Sequence, residues 1–441
     1  MATKPNSKSK TKHEDEETAT GLTDIESSDD EETEKTEETE ETDDSSEEGE
    51  EEEETDESES DEDEPKPKPS SKRFSNYEYK NQTMTVDISN EDNQYDKTFI
   101  NSVRRIILAE LPNFAMDYET TKIHKNTSML QDDFLIQRLC LLPLQYTIFT
   151  KFDDVTVYYD HTNTTEDTIE IYNGDFKANT ADGTPIPIKD IFTSTEFLFG
   201  KLRPEQRLSF TSKVTKSIPR KSGAHMMMAS TSTYWFKHDT EALKKIMSSI
   251  TPKDTKQIIK EKVTSVYNSE AIEMVIDTID EDEDPDVIRS SLEDLVYLKN
   301  DKNEPAFYTF RLEDKNSLPA PEMFKVALAV FKKKIADLIH ATKMKNTEKI
   351  EIFKSDTNIG SYQFDIQGED FTLSYLMQHY FMRDNVYDYV GTIKPSPMKD
   401  MFIFRTHLKK DHTLENNRKQ FIKNLERLEK LVDDFKSSIN F

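Results

Sequence analysis

Six apolar residues near the end of the chain, Phe421, Leu425, Leu428, Val432, Phe435 and Ile439, recur at intervals of 4, 3, 4, 3 and 4. That spacing puts them on one narrow stripe of an α-helix over residues 413–439. A stripe so long and thin packs along another helix rather than across a broad sheet. The fold must therefore provide a second long helix. Residues 321–340 qualify, with Phe324, Leu328, Phe331, Ile335 and Leu338 on a single stripe.

Each long helix closes a segment of similar plan. In the first, residues 77–89 alternate at Met84, Val86 and Ile88 as a half-buried strand does. A helix from Tyr95 to Leu111 follows, with Phe99, Val103, Ile106 and Ile107 on one face and Pro112 as its stop. Residues 306–314 return as a strand before the helix at 321–340. In the second segment "KIEIFKS" and "SYQFDIQ" read as strands. Residues 370–382 form a helix with Leu373, Leu376, Met377 and Tyr380 on one side, 401–408 a strand, and 413–439 the closing helix. Sheet and helix faces of this size need cover. Two like units in one chain can cover each other about a pseudo-twofold axis; two unrelated α+β domains in tandem are the alternative. Residues 114–300 read as an insertion, with strands at 154–159, 168–172, 206–215 and 226–236 and helices at 239–250, 254–264, 268–279 and near 286–298.

The expected class is α+β: two dimerisation units forming an intramolecular pseudo-dimer, an inserted mixed β/α subdomain, and a disordered acidic tail. The expected boundaries are 1–74 for tail and Pro/Lys linker and 75–113 for the first part of unit one. The insert follows at 114–300, the second part of unit one at 301–340, a linker at 341–349 and unit two at 350–441. The tail is expected because charge is unevenly spread. The chain carries a net −30, yet residues 1–72 hold 31 acidic and 8 basic residues and almost nothing apolar. Such a segment buries too little to offset its conformational entropy. It also resembles the charge of a nucleic acid, adjustable by phosphorylation at Ser27, Ser28, Ser45, Ser46, Ser58 and Ser60, each near acidic residues.

Several chemistries are absent. Cys140 is the single cysteine, which excludes a disulfide framework or a multi-cysteine zinc or iron–sulfur site. The nine glycines include no set spaced for a phosphate-cradling loop, there is no HExxH, and no histidine pair shares a helix face. His407 and His412 come closest. The acidic run 280–285 reads as a solvated loop rather than a Mg²⁺ cluster. No apolar run approaches the ~20 residues of a membrane span, and no apolar leader precedes a cleavage site. The expectation is a non-catalytic chain of a reducing, intracellular compartment, without cofactor.

The first helix nonetheless contains an adjacent cationic pair in its most apolar stretch, "NSVRRIILAELP" at 101–112. With "NTSMLQDDFLIQRLCLLPL" further on, this closely resembles the alpha-type assembly subunits of multisubunit RNA polymerases: bacterial alpha, its archaeal D-type counterpart and the eukaryotic third-largest subunit. Asn101, Ser102, Val103, Arg104, Arg105 and Pro112 fit the first motif of that family, and Arg138, Leu139, Leu141, Pro143 and Leu144 the second. "LRPEQRLSF" at 202–210 is similar to an insert segment of the family. The last hundred residues resemble its small partner subunit through Asp370, Thr372, Leu373 and Leu376, with Phe371 and Ser374 departing from the usual His and Gly. A fusion of the two is similar to the arrangement in large cytoplasmic DNA viruses.

The resemblance implies a platform whose halves mate through Phe99, Val103, Ile106, Phe324, Leu328, Phe331, Leu373, Leu376, Phe421, Leu425, Leu428 and Val432. It further implies that Asn101, Arg104, Arg105 and Arg138 face two large catalytic subunits, which supply Mg²⁺ and nucleotidyl transfer. Small accessory subunits would join them, DNA and RNA would be met only through the complex, and no membrane is implied. The expected location is a viral factory in the host cytoplasm and the virion for a viral chain, otherwise the nucleus. An acidic chaperone or carrier for histone-like proteins is the competing reading, and it leaves the three arginines unexplained. Direct DNA binding is disfavoured because the body lacks a dense Lys/Arg stripe, and "KKK" at 332–334 reads as a solvated helix face rather than a phosphate track.

Overall fold

The computed structural model describes residues 73–441 apart from 252–253, 255, 268, 279–284, 316 and 356–359. The expected acidic tail and most of the acidic run at 280–285 lie outside the described residues.

Two strands, β1 (Phe74–Lys80) and β2 (Thr83–Ser89), open the fold as a hairpin. The stretch read as one strand over 77–89 is divided by Asn81 and Gln82, both at positive φ (49° and 63°), as a tight two-residue hairpin turn demands. Helix α1 (Lys97–Ala109) follows, then β3 (Asn113–Met116), β4 (Lys122–Asn126), α2 (Asp132–Cys140) and a short α3 (Ile148–Lys151). Next come β5 (Thr156–Thr162), β6 (Ile169–Tyr172), β7 (Lys177–Asn179), β8 (Pro185–Ile186), β9 (Leu198–Leu202) and β10 (Arg207–Ser217). One turn of helix, α4 (Pro219–Ser222), leads into β11 (Ala229–Phe236). Four helices then run in succession: α5 (Thr240–Ser249), α6 (Lys256–Val266), α7 (Glu270–Thr278) and α8 (Pro285–Glu293). The chain returns through β12 (Phe307–Asp314) and α9 (Ala320–Met344). It ends with β13 (Ile350–Lys354), β14 (Ser361–Gln367), α10 (Phe371–Met382), β15 (Tyr387–Ile393), β16 (Met401–Leu408) and α11 (Leu414–Ser437).

The first half builds an antiparallel sheet in the order β1-β2-β12-β11 and the last half one in the order β13-β14-β16-β15. Register explains the alternation. Met84, Val86 and Ile88 lie opposite Leu312, Phe310 and Tyr308, and all six side chains are fully buried. Helices α1, α9, α10 and α11 cover the inner faces, and a single apolar cluster joins them to both sheets. α9 and α11 run antiparallel along their stripes. Lys332 meets Asp433 and Lys343 meets Glu426 at their flanks, both at 2.6 Å.

Residues 114–300, read as one insert, separate into several parts. β10 is the spine of a sheet ordered β3-β10-β5-β7-β8, with β4 also pairing β10, and this part has its own aromatic-rich core. α5–α8 pack round a third cluster containing Ile246, Val263, Ile272, Ile276 and Leu292. The strand expected at 226–236 leaves the insert altogether, because β11 pairs with β12 and completes the first sheet. The linker expected at 341–349 is shorter too. α9 continues to Met344 because Ala341 and Thr342 are still buried, and the Thr342 hydroxyl donates to the Leu338 carbonyl at 2.7 Å.

Candidate interface site

Helices α1 and α10 meet through a reciprocal set of charges. Asp96 caps α1, its carboxylate accepting from the amides of Thr98 and Phe99 at 3.0 Å each. The same carboxylate contacts His379 of α10 and accepts from Arg383 Nη2 at 3.0 Å. Asp370 in turn caps α10, accepting from the Thr372 amide at 2.9 Å. Arg105 of α1 donates through Nε to the Thr372 hydroxyl at 2.8 Å and lies 3.6 Å from Asp370. Each capping aspartate thus faces a base on the opposite helix. Arg105 lies nine positions after Asp96 and His379 nine after Asp370. Burial alone would raise the Asp96 carboxyl, but His379, the Phe99 amide and Arg383 outweigh it and hold it below the ordinary range. At Asp370 burial is likewise overcome, by the amide and hydroxyl of Thr372 and then by Arg105.

A second charged cluster ties three parts of the chain together. Glu110, just past α1, and Glu369, just before α10, have side chains only 4% and 5% exposed. Lys334 of α9 reaches both, at 3.2 and 2.8 Å. Arg220 of α4 lies 2.9 Å from Glu110 and 2.7 Å from Asp400, and donates to the Gly368 carbonyl at 3.0 Å. Lys349 is 3.2 Å from Glu369. Burial pushes the Glu110 carboxyl above its ordinary value despite the charges of Lys334 and Arg220.

The residues expected to mate the halves, Phe99, Val103, Ile106, Phe324, Leu328, Phe331, Leu373, Leu376, Phe421, Leu425, Leu428 and Val432, lie in one buried cluster. Phe435 of α11 sits among Phe74, Tyr95 and Phe99 of the first half, with ring centroids 5.1, 4.8 and 5.0 Å away. The four polar residues read as facing large subunits are placed differently from one another. Arg105 is turned to the last half, as described. Arg104 is half-buried and donates through Nε to Asn101 Oδ1, one turn earlier, at 2.9 Å. Arg138 donates to the backbone carbonyls of Phe199 and Leu198, at 2.9 and 2.6 Å, and so fastens α2 to β9. On the same helix and just past its end, Phe134 and Leu141 lie exposed (57% and 54%), and the Leu198 side chain and that of its neighbour Phe197 are exposed as well.

Sequence reading missed the roles of Asp96, His379, Arg383 and the Glu110–Lys334–Glu369 cluster. A signal existed for Asp96 alone: Asp-x-Thr occurs at 96–98 as it does at 370–372, each time opening a short apolar helix. Nothing local marks the buried lysine and glutamates, which are brought together from distant parts of the sequence. Among the described residues no group of three or more His, Cys, Asp or Glu is arranged to hold a metal ion. No described helix is long and apolar enough to cross a membrane.

Comparison of the sequence with known proteins identifies a family. Residues 91–335 match the family described as the RNA polymerase Rpb3/Rpb11 dimerisation domain. The chain is 30% identical over 176 residues to DNA-directed RNA polymerase II subunit RPB3 of Schizosaccharomyces pombe, covering 32% of this chain and 58% of that protein. It is 22% identical over 274 residues to the DNA-directed RNA polymerases IV and V subunit 3B of Arabidopsis thaliana, covering 54% and 83%. It is 34% identical over 106 residues to DNA-directed RNA polymerase subunit Rpo3 of Pyrobaculum arsenaticum, covering 21% and 40%. The matched family model spans more than half of the sequence and contains both cationic motifs as well as α1 and most of α9. The chain belongs to the RNA polymerase Rpb3/Rpb11 dimerisation family, the alpha-like subunits of multisubunit RNA polymerases.

Proposed function

We propose that the chain is the non-catalytic assembly platform of a multisubunit DNA-directed RNA polymerase, with an alpha-like subunit and its small partner fused in one polypeptide, as in large cytoplasmic DNA viruses. The two halves form an intramolecular pseudo-dimer. The observation that carries this reading is the reciprocal capping of α1 and α10, Asp96 with His379 and Asp370 with Arg105, above a core shared by both halves. Covalent linkage holds the halves at high effective concentration, so pairing needs no encounter between separate chains.

The platform docks two large subunits that carry out nucleotidyl transfer. Arg104 presents a rigid guanidinium, oriented by Asn101, that suits a carboxylate of a partner. Phe134 and Leu141 supply apolar anchors beside α2, which Arg138 holds in place. Arg105 serves the internal joint. The protein works inside the cell, in a viral factory or in the nucleus. The test is co-expression of the tagged full chain with its two large subunits. The Arg104→Glu/Phe134→Asp variant is expected to keep its circular dichroism and melting profile yet fail to co-purify a large subunit. Normal assembly by the folded variant refutes the docking role. Histone binding that depends on residues 1–72 would favour the chaperone reading instead.

A further inference from the structure

Two large aromatic residues of α10 stand in solvent. Phe371 and Tyr375, one turn apart, are 37% and 53% exposed and stacked, with ring centroids 5.4 Å apart and planes 11° apart. Lys394 Nζ lies 5.3 Å from the Phe371 ring centre. Tyr375 also lines a groove of about 540 Å³ between α1 and α10. Tyr234 of β11 and Met382, itself 48% exposed, complete its apolar lining, while Lys97 and His379 are its titratable side chains besides the tyrosines. Among the described residues no carboxylate lines the groove; Asp96 is 2% exposed and committed to His379 and Arg383.

We propose that this groove receives an apolar side chain presented by an acidic segment of a partner polypeptide. The inference rests on the platform reading above and gives that platform a second, chemically defined contact. Its volume of about 540 Å³ leaves room for a bulky apolar side chain. Apolar walls beside the Lys97 ammonium select an apolar anchor flanked by carboxylates, with that charge steering the encounter. A single-stranded nucleic acid fits less well, because its backbone needs a positively charged track, and Lys97 is the one lysine or arginine among the residues lining the groove.

The experiment uses the full chain and its co-expressed large subunits, with retention on the tagged platform measured across a salt series. Tyr375→Asp/Met382→Asp places like charge against the incoming segment, and Gln378→Trp fills the groove without adding charge. Both are expected to weaken retention by about tenfold or more. Lys97→Glu is expected to reduce its salt dependence. Unchanged retention by the two groove variants, with folding intact, overturns the inference. Binding of labelled oligothymidylate that is lost in Tyr375→Ala also overturns it, since the surface would then serve nucleic acid. If the groove variants assemble normally while Arg104→Glu/Phe134→Asp does not, the groove inference falls and the platform reading stands. If neither set matters, both fall.

Discussion

Replacing Phe435 by Ala tests whether the two halves are one cooperative unit. The ring is fully buried in α11, yet its three nearest aromatic neighbours, Tyr95, Phe99 and Phe74, all belong to the first half. Truncating a buried Phe typically costs about 3–5 kcal/mol through lost transfer energy and the cavity left behind. A loss of about 4 kcal/mol, set against a urea slope of roughly 3 kcal/mol/M, moves the midpoint down by about 1 M. The single tryptophan makes the test local. Trp235 lies on β11 in the first sheet, so its emission reports on the half that does not contain the mutation. The expected result is an equal drop in midpoint by Trp235 emission and by far-ultraviolet circular dichroism. If the Trp235 transition stays in place while the helical signal shifts, the halves unfold separately and the reasoning fails.

Other perturbations probe the charges. The Asp96 carboxyl is held below its ordinary value of 3.8, so it contributes stability above that pH and loses the contribution as pH falls through its lower folded value. Asp96→Asn should therefore flatten the acid limb of a stability–pH profile, and an unchanged limb would contradict the assignment. Lys334→Met leaves Glu110 and Glu369 without their shared cation and is expected to cost about 3–5 kcal/mol in denaturant titration; a loss below about 1 kcal/mol would show that Arg220 and Lys349 suffice. Burial pushes the Cys140 thiol up to about 11, so it should resist a thiol reagent at neutral pH until the protein is unfolded. Rapid stoichiometric labelling of the native chain would refute that.

The helices were the most legible part of the sequence, because a buried face repeats every three or four residues regardless of what covers it. The stripe Phe421–Leu425–Leu428–Val432 marked both α11 and its need for a companion. Strand partners were not legible in the same way. A strand was expected at 226–236 and is seen at Ala229–Phe236, but nothing in the local sequence tells which strand lies beside it, and its register with β12 joins residues as far apart as Ala229 and Asp314. The turn at Asn81-Gln82 escaped because Gln is an uncommon residue at positive φ. The adjacent Arg104 and Arg105 were read as one group facing other subunits, because sequence does not tell what each helix face meets. Only the assembled fold distinguishes the arginine bound to Asn101 from the one bound to Thr372.

The short passage from α9 to β13 has a consequence for heredity as well as for folding. Met344 ends one half and Ile350 begins the next strand, with Lys345 in the left-handed conformation turning the backbone between them. Two surfaces joined in this way are translated from one message in a fixed ratio, so neither can be left in excess. They are also inherited as a single allele, and a change at Phe99 travels with any compensating change at Phe435.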